Sequence, residues 1–165
     1  MTIAMLRTTP SDAFEIVILH PQLLDAFESH LLRLDNEGVR LRFGGKVNPA
    51  FLRDYAHRVD FRNTLLIGVF VEGHLRGAGE LRSFEVTWSS RAEAAFTVEG
   101  QFRGRGIGTM LMQALLARAT AQGVSELYLA INPMNRPMRR IAERVGGTFE
   151  SDGEELHARV PVPQL

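Results

Sequence analysis

Residues 64–71 read TLLIGVFV, an apolar run rich in β-branched and aromatic side chains. A strand sends successive side chains to opposite faces, so a run without polar alternation needs cover on both. The chain must therefore supply covering elements for both sides of one sheet. Glu72-Gly73 reads as a tight turn into a second strand, Leu75 to Ser83. A polar connection over 84–91 holds Trp88, the only tryptophan, and leads to a third strand, Ala92 to Val98.

The covering elements are legible as helices. After Pro21, Leu24, Phe27, Leu31 and Leu34 recur at helical spacing. A second helix fits Pro49 to Val59, with Leu52, Tyr55 and Val59 on one stripe and the loop FGGKVNP before it. A long apolar helix is predicted from Ile107 to Gln122, ended by Gly123. A strand follows from Glu126 to Ile131. The next helix, Arg136 to Val145, carries Met138, Ile141, Ala142 and Val145 as an amphipathic stripe. Asn135 suits its N-cap and Pro137 its first turn. Short strands at Thr148 to Glu150 and Glu155 to Val160 close the chain. The expectation is a single α/β domain over residues 1–165, with a mixed sheet and a strand–helix–strand unit from Ala92 to Ile131.

Composition excludes several functions. The 165 residues contain no cysteine, so disulfides, thiolate nucleophiles and Cys-ligated zinc are ruled out. Net charge is zero, which gives no basic excess to draw the chain to nucleic acid or an anionic membrane. The N-terminus does not read as a signal peptide, and no apolar run is long enough to span a bilayer. A cytoplasmic location is expected. His20, His30, His57, His74 and His157 show no metal-ligand spacing, so no metal is expected.

The segment V98-E-G-Q-F-R-G-R-G-I-G-T109 carries the chemistry. A strand ends, glycines follow at alternate positions, and a long helix starts. Such a loop aims backbone N–H groups at one point, and the helix N-terminus adds partial positive charge. Glycine permits close approach of an anion and backbone angles that other residues avoid. Arg103 and Arg105 place further charge in the loop. A Walker loop needs a lysine that is absent, and the spacing of Gly104, Gly106 and Gly108 does not fit a dinucleotide fingerprint. A phosphate or pyrophosphate site is the expectation.

Q101-F-R-G-R-G-I-G-T109 resembles the Q/R-x-x-G-x-G/A motif of the GNAT superfamily of N-acetyltransferases. L127-Y-L-A-I-N-P-M-N-R-P-M-R-R-I-A-E-R-V-G-G-T-F149 is similar to that family's second motif. The resemblance implies a GNAT fold, its twisted mixed sheet splayed between the third strand and the strand from Glu126 to Ile131. It implies acetyl-CoA as co-substrate, with its pyrophosphate on the amides of Gln101 to Thr109. The pantetheine arm would lie along the strand holding Phe96 and Val98, and the Val98 N–H would meet the thioester carbonyl. Asn132 and Asn135 would bond the pantetheine; a strand end and an N-cap explain them equally well. Arg139 and Arg140 are read as reaching the phosphates or as a solvated helix face.

Many family members carry a tyrosine in the last helix that protonates the leaving thiolate; the matching position here is Ala142. The pattern is closest to the acetyltransferase domains of bacterial protein-lysine acetyltransferases, which use a strand glutamate as base. Glu93 matches it, with Glu80 and Glu99 as reserves. The implied function is acetyl transfer to a primary amine, on a protein or a small molecule, by a monomer or homodimer. The alternative is a catalytically weak acyl-CoA-binding module. Phe84, Tyr55 and Trp88 are read as lining an acceptor pocket or, in preference, as core or rim aromatics that need no function.

Overall fold

The computed structural model describes the backbone of residues 3–6 and, in full, residues 13–165. Among these residues the strands are β1 (Ile3–Leu6), β2 (Phe14–Leu19), β3 (Thr64–Val71), β4 (His74–Ser83), β5 (Arg91–Val98), β6 (Glu126–Ile131), β7 (Thr148–Ser151) and β8 (Leu156–Pro161). The helices are α1 (Leu24–Leu32), α2 (Asn36–Phe43), α3 (Pro49–His57), α4 (Ile107–Ala121) and α5 (Arg136–Arg144). The strands form one sheet in the order β1-β2-β3-β4-β5-β6-β8-β7. Neighbours are antiparallel except β5 and β6, which are parallel and joined through α4.

The run at 64–71 is covered on both faces, as its composition requires. Ile67 and Val69 pack with α4 and α5 in one core, which also holds Leu111, Leu115 and Met138. Leu66 packs on the other face with Phe27 and Leu31 of α1 and Leu52 of α3. Glycine on β4 sets how closely α4 approaches. A Cβ on Gly77 would lie 2.6 Å from Ile107 Cγ2. At the β3–β4 turn both Glu72 and Gly73 have positive φ, 50° and 79°, the pattern of a two-residue hairpin turn.

Two elements depart from the sequence expectation. A strand that the sequence did not announce precedes the first helix: β2 pairs with β3 along its whole length, from Phe14↔Val71 to Leu19↔Leu66. Its apolar stretch is short and has no turn of its own to announce it; β3 supplies the partner. The first helical region is also two helices. α1 stops at Leu32, and Asp35 caps α2 by accepting from the Gly38 N–H at 2.7 Å. Gly44, at φ 81°, ends α2 inside the expected glycine loop.

The feature that positions the site is a broken seam. β5 and β6 pair only at Arg91↔Glu126, Ala92↔Leu127 and Glu93↔Tyr128. Beyond Glu93, β6 continues along β8 through Ile131, while β5 continues along β4 through Val98. The two strands therefore diverge, and the expected splay is present.

Candidate active site

The glycine loop leaves β5 through a turn of 3-10 helix, Gly100–Phe102, and enters α4. Gly104 and Gly106 have φ 74° and 83°, a left-handed backbone that favours glycine. A Cβ at either would have no neighbour within 4 Å, so the loop faces open space. The first hydrogen bond into α4 runs from the Met110 N–H to the Gly106 carbonyl, 3.0 Å. The N–H groups of Ile107, Gly108 and Thr109 precede it and have no acceptor among the described residues. Three donors and the dipole of a fifteen-residue helix thus converge on one place, the physical requirement for holding an anion.

The remaining loop residues divide by role. A Cβ on Gly108 would lie 2.9 Å from Ile141 Cδ1, so this glycine also lets α4 and α5 meet. Arg103 is drawn out of the loop: its guanidinium donates to Asp35 at 2.8 Å and Glu37 at 3.3 Å, tying the loop to the start of α2. The Gly38 N–H, helped by Arg103, holds the Asp35 carboxyl below its usual range. Arg105 lies over the Phe102 ring at 5.2 Å. Gln101 is exposed and Thr109 half-buried in the first turn of α4.

The divergent edge of β5 supplies a second set of donors. The Arg91 carbonyl accepts from Phe84, and the Glu99 N–H donates to Arg76, both on the β4 side. Peptide groups alternate along a strand, so those of Ala94, Phe96 and Val98 turn toward β6. Pairing there ends at Glu93, which leaves the Phe96 and Val98 amides facing the gap. The gap is a cavity of about 330 Å³ whose walls include Ala94, Phe96, Leu129, Asn132, Asn135 and Met138. Asn135 caps α5 through the Met138 N–H at 3.2 Å, and Asn132 accepts from the Met134 N–H at 2.9 Å.

A second cavity of about 360 Å³ lies against α3, β4 and β5, with Phe51, Tyr55, Glu80 and Arg82 among its walls. Glu93, Ala95 and Arg42 line both cavities. Glu93 therefore stands at their junction, half-buried, with Arg82 Nη2 4.0 Å from its carboxylate. The reserve bases are engaged elsewhere. Glu80 accepts from Tyr55 Oη at 2.5 Å and from Arg42 at 3.1 Å. Burial, and then Glu80, push the Tyr55 hydroxyl above its usual range.

Glu99 is buried among His30, Arg33 and Arg76 at 2.9, 3.1 and 2.9 Å. Burial alone would raise its carboxyl, but the bond from His30, followed by those from Arg33 and Arg76, brings it to about 2. A carboxylate held so acidic is a poor proton acceptor at neutral pH, so Glu99 is corrected from reserve base to structural anion. Its partner His30 is fully buried and also bonds Thr97 Oγ1 at 2.8 Å. Sequence reading missed this pairing because 69 residues separate His30 from Glu99. Glu99→Ala is expected to destabilise the fold by about 3 kcal/mol, since it leaves the part-buried Arg33 and Arg76 and the buried His30 ring without their shared acceptor. The Glu99 pKa falls from 4.5 to about 2 on folding. Its contribution is thus complete above the unfolded value and is lost as pH drops from about 4.5 toward 2. Urea melts from pH 6 down to pH 3 check this; in Glu99→Gln that component of the pH dependence should be missing.

The model of the acetyltransferase (GNAT) family matches residues 30–147. This chain belongs to the GNAT family. Acetyltransferase Pat of Mycolicibacterium smegmatis is 39% identical over 78 residues, 47% of this chain and 23% of that protein. An L-methionine sulfoximine/L-methionine sulfone acetyltransferase of Pseudomonas paraeruginosa is 36% identical over 76 residues, 46% of this chain and 42% of that protein. Both matches thus span less than half of the relative's length. The GNAT domain of S. lividans PAT superposes with a TM-score of 0.76 at 16% identity, covering 91% of each chain, which shows a shared fold.

Ala142 stands where the sequence resemblance would place a tyrosine. Ala142 is fully buried in α5, its carbonyl accepting from the Gly147 N–H at 2.9 Å. The nearest tyrosine to the seam is instead Tyr128 on β6, the register partner of Glu93. Its hydroxyl meets His157 Nδ1 at 2.5 Å, and His157 Nε2 meets Asp152 at 2.8 Å. Burial, then Glu155 and Glu93, raise the Tyr128 hydroxyl above its usual range, so it stays protonated at neutral pH. Among the described residues one three-ligand group, Asp25, Glu28 and His57, gathers on the surface. Arg53 already contacts Glu28 there at 3.7 Å.

Proposed function

We propose that this GNAT chain moves an acetyl group from acetyl-CoA directly to a primary amine, with Glu93 as general base. The observation that carries the reading is the place of Glu93. It is a carboxylate at the junction of two cavities, one bounded by the splayed strands and the other opening beside α3. The unpaired N–H groups of Ile107, Gly108 and Thr109 hold the pyrophosphate. The β5 edge takes the pantetheine arm, and the Phe96 and Val98 amides polarise the thioester carbonyl as charge develops on its oxygen. Asn132 and Asn135 line the same cavity.

The amine arrives through the second cavity. An alkylammonium has a pKa near 10.4, so only about one in a thousand is neutral at pH 7.4. Glu93 removes the proton that blocks attack, directly or through one water. The chain has no cysteine, so no cysteinyl intermediate is involved and both substrates are held together. Among the described residues no helix is long and apolar enough to cross a membrane. We place the reaction in the cytoplasm on the strength of the acetyl-CoA donor.

Thermal melting tests the donor. A ligand that binds only the folded state stabilises it by mass action, by about 2.7 kcal/mol at a hundredfold excess over Kd. Acetyl-CoA is expected to raise Tm by several degrees, with NAD and ATP far less effective. A larger shift with NAD would remove the acetyl-CoA assignment.

A further inference from the structure

The charges that line the second cavity are mostly closed into short pairs. Arg42 donates to Glu80 at 3.1 Å and to Tyr55 at 2.5 Å. Arg58 pairs with Asp54 at 3.1 Å, and Asp60 with Arg62 at 2.7 Å. The pair of Arg82 and Glu93 is different. These two face each other across β4 and β5 as register partners, so their side chains rise from the same face of the sheet. They approach only to 4.0 Å, the outer limit of an ion pair, with 60% and 31% of their side-chain surface exposed. A cation and an anion thus stand side by side, loosely joined, at the point where the acceptor must present its amine.

We propose that the acceptor is a free α-amino acid, its amine on Glu93 and its carboxylate on Arg82; this rests on the acetyl-transfer reading above. In an α-amino acid the nitrogen and the carboxyl carbon are about 2.5 Å apart, from the two bonds and the angle at Cα. A single such molecule bridges both side chains, exchanging one long contact for two short charge-assisted ones. Arg82 presents a planar fork that suits a carboxylate. Phe51 and Tyr55, stacked at 6.2 Å and 28°, form an apolar wall with Val59 for the amino acid's side chain. The cavity's volume of about 360 Å³ suits a small molecule. A peptide-bound lysine brings no free α-carboxylate to Arg82, and a polyamine brings only cations, which Arg82 repels.

The step balances. Glu93 takes one proton from the ammonium group, and the neutral nitrogen attacks the thioester carbonyl carbon. The N–C bond forms and the C–S bond breaks. The nitrogen gives up its second proton as the sulfur leaves, so the products are an N-acetyl amino acid and the free thiol of coenzyme A.

The test follows coenzyme A thiol release with the common L-amino acids, each beside its α-carboxamide, plus spermidine and a lysine-containing peptide. For the best amino acid, kcat/KM referred to the neutral amine present at the assay pH should exceed that of its amide by about tenfold or more, the loss expected when a hydrogen bond to a charged group is removed. Arg82→Met should bring that ratio close to one. Retained acetyl-CoA binding and an unchanged melt show that the variant is folded, and Arg82→Lys should give an intermediate ratio. The proposal is overturned if amides match their acids. It is also overturned if Arg82→Met slows both members of a pair alike, which would make Arg82 only a support for Glu93, or if spermidine or the peptide is preferred. Each of those outcomes leaves acetyl transfer standing. No thiol release with any acceptor, from protein that binds acetyl-CoA, would overturn the transferase reading itself and this inference with it.

Discussion

Glu93→Gln is expected to lower turnover about a hundredfold or more at pH 7, with acetyl-CoA affinity unchanged. Gln preserves the volume and a hydrogen-bonding end but accepts no proton. Glu93 is half-buried, and the charge near it, Arg82, is 4.0 Å away, so losing that pair costs the fold no more than about 1 kcal/mol. Stability and catalysis are therefore separable in this variant. The pH profile separates them further. As pH rises toward the amine's own pKa, more acceptor is neutral without help, and the deficit of the variant should shrink. Steady-state rates from pH 6.5 to 9.5 for both proteins provide the measurement. Equal turnover at pH 7 would take Glu93 out of the chemistry, and the Tyr128–His157–Asp152 chain would then be the next group to vary.

Gly106→Asp should reduce acetyl-CoA affinity by a few hundredfold while the domain stays folded. Gly106 caps α4 at φ 83°. No atom lies within 4 Å of the Cβ it would gain, so the new side chain meets no protein wall. Asp tolerates the left-handed region better than most residues, and its carboxylate can itself accept from the open N–H groups of the first turn. That keeps the helix start stable while occupying the donors an anion needs. Two like charges about 4 Å apart near a protein surface repel by about 4 kcal/mol, which converts to several hundredfold in Kd. Gly106→Ala controls for backbone strain and should lose far less. Calorimetric titration with acetyl-CoA reads both. Unchanged affinity in folded Gly106→Asp would refute the placement of the pyrophosphate.

Where local pattern and tertiary demand agree, the chain was legible without coordinates. β3, β4, β5, α4, β6 and α5 each carry their own period, cap or turn, down to Asn135 as N-cap. The glycine loop was legible for the same reason, since strand, glycines and helix start are contiguous. β2 and α2 were not. Phe14–Leu19 is a strand because β3 needs a neighbour, and Asn36–Phe43 is a helix held partly from outside, through the cap Asp35 and its bond to Arg103. The ion pairs of Arg103 were also not legible from sequence alone, because nothing near it in the chain shows that Asp35 and Glu37 reach it.

The sequence by itself determined a two-faced sheet, the order of its later elements and the glycine loop that can hold an anion, because each depends on neighbours within a few residues. Only the tertiary structure decided what surrounds each carboxylate. Glu80, Glu93 and Glu99 look alike, on two adjacent strands and at the end of the second. Yet Glu99 is locked by His30, Arg33 and Arg76, and Glu80 by Arg42 and Tyr55. Glu93 alone of the three lines both cavities, where the seam between β5 and β6 opens. A carboxylate's proton affinity and reach are set by the charges and the space around it, and those come from residues up to 69 positions away.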